Sequence, residues 1–571
     1  MRRPLVLCEL WLVLWSLCCW AGPSALAADS ADAVPDSASV VLRWKAPQAT
    51  LAKLADYVDA VQPGYGEFVK GSLPALGQVL NSPELAGVDV EKDWWAIVFA
   101  ESEEKPAVVF VIPATDAEAI ENALPDGFEF HAADNLAIIS DNEDALDKVR
   151  ERLSGKGKAL WSKIDASSKK LFDASDVSVL VNVSQLAEDF ESELEQAEPQ
   201  LDALIDQITA AIPEPQRAQI VPAFDMYRML GKAILQGVED SRSLTLGLTV
   251  SKDTIRYEDR LQVEDGTPTA KFLSRQTPGG LSLMSKLPGN KAAYFGLKAD
   301  ISGMIDWSMN MTKNMLTDMT DEQQAEFDAA IKQMHGLKYG EMAGYFNLEP
   351  ASAGALRAGS VSEVTPADRM RDISRSLLKA MGEIKSIGFT QTTTLEPAVE
   401  KIGGVEVDRV TTKQEIDPNA DPLGVQKKVR DMLFDEEGMQ QLVMYQPKHS
   451  MQTFGGGLAE LQGLATALNS KTSKDSAVTA ARSRFIDKAN VVGLVDVAQL
   501  IVSGAKLAAL NEAIPMDAEA LDDLKLTPSF LGFALACEPT AARSQFEIPV
   551  VQAQGIAKVV MLLVVNIQQA N

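Results

Sequence analysis

The stretch VLVNVSQL, Val179 to Leu186, returns near the other end of the chain as GLVDVAQL, Gly493 to Leu500. Leu180/Leu494, Val181/Val495, Val183/Val497, Gln185/Gln499 and Leu186/Leu500 are identical in register, while Asn182/Asp496 and Ser184/Ala498 differ mildly. In both copies a β-branched run passes into a helix at the Gln-Leu pair, so one strand-to-helix unit is present twice.

After the first copy, Phe190, Leu194, Leu201, Leu204, Ile208 and Ile212 recur at helical spacing up to the turn Pro213-Glu214-Pro215. Ile220, Phe224, Tyr227, Leu230, Ile234 and Val238 then form a second helical stripe, and the short connection predicts an antiparallel helix pair. SLTLGLTV (Ser243 to Val250) and IRYEDRLQV (Ile255 to Val263) alternate as a hairpin. The later counterpart is FLGFALAC (Phe530 to Cys537) with SQFEIPV (Ser544 to Val550), aligning Leu246-Gly247-Leu248 with Leu531-Gly532-Phe533 and Ala270-Lys271 with Ala557-Lys558. The later connection is shorter by about one helix.

Elsewhere SVVLRW (Ser39 to Trp44) reads as a strand, and Trp94 to Ala100 with Ala107 to Ile112 as a hairpin. A second hairpin joins Phe128 to Phe130 with Leu136 to Ile139. Thr115 with Glu118, and Ser140 with Glu143, have the spacing of capping boxes. Lys291 to Trp307 starts as a strand entering a helix, Ser386 to Leu395 is a strand, and Gln441 to Phe454 is a hairpin followed by the helix Leu458 to Leu468. Glu349 to Ser362, rich in Ala, Gly and Ser, is expected to be a loop.

The pattern predicts an α+β protein of duplicated modules, each a strand, helix or helix pair, antiparallel hairpin and helix, with helices packed on mainly antiparallel sheets. An N-terminal half, 28–280, holds modules at about 38–155 and 173–275; a C-terminal half, 281–571, holds modules at about 288–470 and 485–566.

Residues 1–27 have the composition of a secretory signal peptide: Arg2 and Arg3, an apolar run from Leu5 to Trp20, and the small-residue site Ala25-Leu26-Ala27. Its removal takes Cys8, Cys18 and Cys19 and leaves Cys537 as the one cysteine, so no intrachain disulfide forms. An exported chain without disulfides points to a bacterial periplasm or cell surface. The net charge of -27 repels nucleic acid and anionic lipid headgroups. No transmembrane segment is expected after signal removal.

Familiar catalytic patterns are absent. His131, His335 and His449 are far apart in sequence, with no HExxH. No G-x-S-x-G elbow occurs; S-x-x-K appears at Ser167/Lys170, Ser376/Lys379 and Ser503/Lys506, and S-D-N at Ser140-Asp141-Asn142, but K-T-G does not. Asp417, Asn419 and Asp421 begin like a calcium loop, yet Pro422 takes the turn-glycine position and Lys428 the position of the bidentate Glu. Gly455-Gly456-Gly457 opens a helix without a P-loop lysine and reads as a tight turn. Trp94 and Trp95, adjacent in a strand, point to opposite faces, one to the core and one to water or a covering helix. Near Asp300, Met304, Trp307, Met311, Met315 and Met319 fall on one helical face. Met311, Met315 and Met319, four apart, are candidate Cu(I) ligands. Trp307, Met304, Met311 and Met315 are equally a candidate surface for an apolar ligand or partner, and a core-facing stripe is the simplest account. No cofactor is implied.

The repeated plan behind a signal peptide resembles exported bacterial proteins to which no function is assigned. That resemblance is architectural and carries no site residues. The expectation is a non-enzymatic binding or structural protein of the bacterial envelope, whose partner is an envelope protein. The alternatives are a carrier of an apolar ligand such as a lipid, or a hydrolase with an unrecognised site. The copies differ most in the long helix pair of the first half and the methionine-rich helix of the second, and any function is expected there.

Overall fold

A computed structural model describes residues 30–570 apart from 73–76, 78–81, 83, 101–104, 304, 306–307, 310–319, 350–353, 387–388, 420, 435, 471–475, 512, 515 and 517. The chain is α+β, and its recorded strand pairings are antiparallel. It divides into two compact units. Among the described residues the first comprises 30–197, 234–273 and 539–554; the second comprises 198–233, 274–538 and 555–570.

The strands of the first unit are β1 (Val40–Trp44), β2 (Trp94–Phe99), β3 (Ala107–Pro113), β4 (Glu129–Ala133), β5 (Leu136–Ser140), β6 (Val177–Val181), β7 (Ser241–Val250), β8 (Thr254–Val263) and, from the far end of the chain, β19 (Ala541–Pro549). They pair in the order β4-β5-β3-β2-β1-β6-β7-β8-β19. Between them in the chain, the second unit contributes β9 (Ala293–Leu297), β10 (Lys338–Leu348), β11 (Leu356–Thr365), β12 (Glu383–Ser386), β13 (Phe389–Ile402), β14 (Val405–Ile416), β15 (Met439–Gln446), β16 (His449–Phe454), β17 (Val491–Val495) and β18 (Leu531–Glu538). These pair in the order β18-β17-β9-β10-β11-β16-β15-β14-β13-β12.

Side chains of β1 and β2 are buried on both faces of the first sheet. Val41, Trp95, Ile97 and Leu180 pack under the helices Glu143–Leu153 and Ala166–Ala174. The alternate residues Val40, Leu42, Trp94 and Val179 pack with Leu51 of the helix Pro47–Val61 and with Ile120. Both members of the Trp94-Trp95 pair are therefore covered; Trp95 lies 5.5 Å from the Phe172 ring and 6.2 Å from that of Trp161. In the second unit, Tyr345, Val361, Met444, Met451 and Leu494 pack with Leu461 and Leu464 of the helix Gly457–Leu468.

The repeated stretch occupies equivalent places. β1 pairs with β6 as β9 pairs with β17, matching Val40↔Val181 with Ala293↔Val495. The helices begin at Val183 and Val497, two residues earlier than the Gln-Leu pair suggests. The reason is the pair that differs: Asn182 Oδ1 accepts from the Gln185 amide, and Asp496 Oδ1 from the Gln499 amide, so each is an N-cap. At the start of each strand a second buried side chain acts alike. Asp176 accepts from the Val250 amide at 2.7 Å, and Asn490 from the Cys537 amide at 2.7 Å.

Several local expectations are corrected. Cross-strand pairing sets Leu244, not Leu246, opposite Val181, just as Leu531 lies opposite Val495. The hairpins therefore correspond two residues away from the Leu-Gly-Leu alignment, at the same offset as Ala270/Ala557. The caps fall on Asp116 and Asn142 rather than Thr115 and Ser140, whose hydroxyl instead donates to Val108 O and accepts from the Asn142 amide. Within the expected loop 349–362, Leu356 onward is β11, paired to β10 and β16.

The caps are not interchangeable. Asn182 Nδ2 donates to Ala38 O at 3.0 Å and Asp36 O at 3.3 Å, while Asp496 Oδ2 accepts from the Ser529 amide at 3.3 Å. Asn182→Asp sets a carboxylate against two carbonyls, and Asp496→Asn turns an amide donor toward a donor. Each exchange is expected to cost about 1–3 kcal/mol in urea unfolding. Unchanged midpoints for both variants would contradict this account.

Candidate functional site

Several of the residues singled out for chemistry are taken up in local structure. His131 lies on β4 and His449 on β16, where burial holds both below the usual histidine value; Glu363, opposite His449 across the sheet, works against that shift. No group of three or more His, Cys, Asp or Glu suited to a metal ion occurs among the described residues. Ser503 is buried and accepts from Gln499 Nε2 at 3.3 Å, while Lys506 pairs with Asp522, so that S-x-x-K brings no lysine to its serine. Asp417 accepts from the Asn419 amide and Asp421 from the Lys427 amide, turning the calcium-like loop into the cap of the helix Val425–Phe434. Met304, Trp307, Met311, Met315 and Met319 lie outside the described residues.

Two cavities among the described residues lie on the second unit. The larger, about 460 Å³, is lined by Lys413, Lys427, Arg430, Glu415, Asp421 and Glu436 among others. Its volume suits a small ligand. Its positive and negative groups are balanced, however, and Arg430 is committed to Asp431 and to the Gln414 carbonyl. The smaller, about 260 Å³, lies at the glycine turn. There φ is 68°, 68° and 58° at Gly455, Gly456 and Gly457. A Cβ on Gly455 would sit 2.0 Å from Leu356 O, so the turn needs glycine for space as well as conformation.

Other polar clusters brace helices on the second sheet. Tyr345 donates to Glu460 Oε1 at 2.6 Å, and Lys291 Nζ reaches the same oxygen at 2.7 Å. Burial, reinforced by Glu460, holds the Tyr345 hydroxyl above its usual range. Arg375, on the helix Ala367–Met381, grips the buried Asp408 of β14 through two hydrogen bonds of 2.6 and 2.7 Å.

The long helix pair is different in kind. Its helices, Glu191–Ala211 and Glu214–Glu239, are joined by ion pairs that run in opposite senses along them. Lys232 meets Glu198 at 2.7 Å and Asp202 at 3.1 Å; Arg228 meets Asp202 at 3.0 Å and Asp206 at 2.6 Å. Near the crossing, Gly231 lets the helices close up: a Cβ there would sit 2.4 Å from Leu201 Cδ2. At about 100° per residue, Leu204 and Ile208 lie opposite Asp202, and Tyr227, Leu230 and Ile234 lie well round from Arg228. One side of the hairpin is thus a charge ladder and the other is apolar. That apolar side is open: Leu204 is 54%, Ile208 40%, Tyr227 57%, Leu230 48% and Ile234 66% exposed. Apolar side chains open on this scale are where a partner or ligand would gain most from contact. Sequence periodicity locates these residues, but it assigns them to packing.

No protein-family model, no curated protein and no solved structure matches the chain. Among the described residues, no helix is long and apolar enough to cross a membrane.

Two measurements probe these assignments. Burial alone would raise Asp408, but the Arg375 hydrogen bonds and the Ala398 amide outweigh it and hold the carboxyl below the usual range. The pair's stabilisation is therefore present above the ordinary carboxylate pKa and is lost as pH falls through the lowered one. Arg375→Ala should cost about 2–4 kcal/mol at neutral pH, with the difference from wild type narrowing in strong acid. A pH-independent difference would refute that assignment. Cys537 is buried, and burial pushes its thiol up. It should ignore a disulfide reagent in the folded protein and react on unfolding. Rapid reaction in native buffer would contradict its placement.

Proposed function

We propose that this chain is an exported, non-enzymatic binding or structural protein of the bacterial cell envelope, with the long helical hairpin as its contact element. The observation that carries this reading is the open apolar side of the hairpin, whose two helices also present it without an intervening charge, while the strands of the first sheet are packed into filled clusters. Such a side is costly to leave in water unless something covers it. The N-terminal segment with its Ala25-Leu26-Ala27 site supports export, and the lack of a cysteine pair outside it suits a periplasm or bacterial surface. The use of Asp417 and Asp421 in a helix cap, and of Ser503 and Lys506 in separate local contacts, supports a binding role over a hydrolytic one.

Fractionation of the native host is the test. The chain should be recovered from the periplasmic or envelope fraction with a mature N-terminus near Ala28 or Asp29 by mass spectrometry. A Leu204→Glu/Ile208→Glu variant should be exported equally but lose its envelope retention. Recovery of the full-length chain from the cytoplasm would sink the proposal.

A further inference from the structure

We infer that the apolar side of the hairpin pairs with the same side of a second copy of this chain, closing a four-helix bundle. The inference rests on the reading of the hairpin as a contact element and names what covers it. The deciding feature is where charge is absent. The two helices carry Glu191, Glu193, Glu195, Glu198, Asp202 and Asp206 on the first and three acids with three bases on the second. Yet from Ala197 to Val238 no charged residue among those described falls on the side of Leu204, Tyr227 and Leu230, by their helical positions. Its polar members there include Gln200 and Gln207.

A basic partner would find no carboxylate on this side over that span, and those on the other side are already paired with Arg228 and Lys232. For a molecule of net charge -27, a second copy is repelled almost everywhere, and a charge-free apolar surface is where two copies meet at least electrostatic cost. The contact is self-complementary, as a two-fold interface requires, and two antiparallel hairpins laid together give a familiar bundle geometry. Size also fits. Helices of 21 and 26 residues are about 31 and 39 Å long. Five side chains about half free supply on the order of half of the ~800 Å² that each partner contributes to a standard interface, with backbone and glutamines to supply the rest.

The test is sedimentation equilibrium of the full mature chain from about 1 to 100 μM at low and high salt. Screening the mutual repulsion should strengthen self-association, shifting the population from monomer toward dimer as salt rises from roughly 10 mM to 0.5 M. A complex held by opposite charges would weaken instead. Leu230→Glu/Ile234→Glu should abolish the dimer at every salt concentration while leaving the far-ultraviolet circular dichroism unchanged. A wild-type monomer throughout overturns the inference, as does a dimer that persists in the double variant or that salt disperses. A monomeric chain whose envelope retention still depends on Leu204 and Ile208 overturns the pairing alone, leaving the contact-element reading intact.

Discussion

The repeated strands β6 and β17 are each held at both ends by a buried Asp or Asn side chain, and the pairing of the flanking strands depends on that grip. Asp176 and Asn182 bracket β6; Asn490 and Asp496 bracket β17. At the start of each strand the side-chain oxygen takes a backbone amide of the neighbouring hairpin, and at the end it takes the first turn of a helix. Acid and amide are exchanged between the copies, so each keeps one charged and one neutral clamp. A buried polar group is costly when unpaired, which makes such clamps strong selectors of a single register.

Around that grip the layers differ. The first sheet has β1 and β2 buried on both faces, which is why SVVLRW and the Trp94 run read as near-continuous apolar strands. In the second, β13 has no buried residue and is rich in threonine and charge, so nothing in its side-chain pattern announces a strand as long as Phe389–Ile402. β10 and β11 were hidden for a related reason. Glycine at Gly340, Gly344 and Gly359 admits neighbouring side chains and dilutes the alternation on which a strand assignment rests.

Legibility followed physics in the repeat as well. The duplicated stretch, the hairpins and the long helix pair could be read from apolar period alone. The register of β7 against β18 could not, because a slip of two residues keeps every side chain on its own face, and similar Leu-Gly dipeptides invited it. The start of the repeated helices was misplaced because Asn182 and Asp496 look like a tolerated difference until their oxygens are seen to bond. At the candidate site the apolar stripes were visible but their destination was not: burial by a neighbour and exposure to a partner demand the same residues at the same spacing.

One connection gives the duplication a further meaning. β6 and β7 are joined through residues 182–240, whereas β17 and β18 are joined through 496–530, yet both pairs lock in the same register. Loop-closure entropy grows only logarithmically, about 0.6 kcal/mol for each doubling of length, and the longer link is less than twice the shorter. The extra helical segment is thus thermodynamically almost free to the sheet that carries it. An ancestral module could gain or shed such an arm without refolding, which leaves one copy free to diversify its outward reach while its twin preserves the frame.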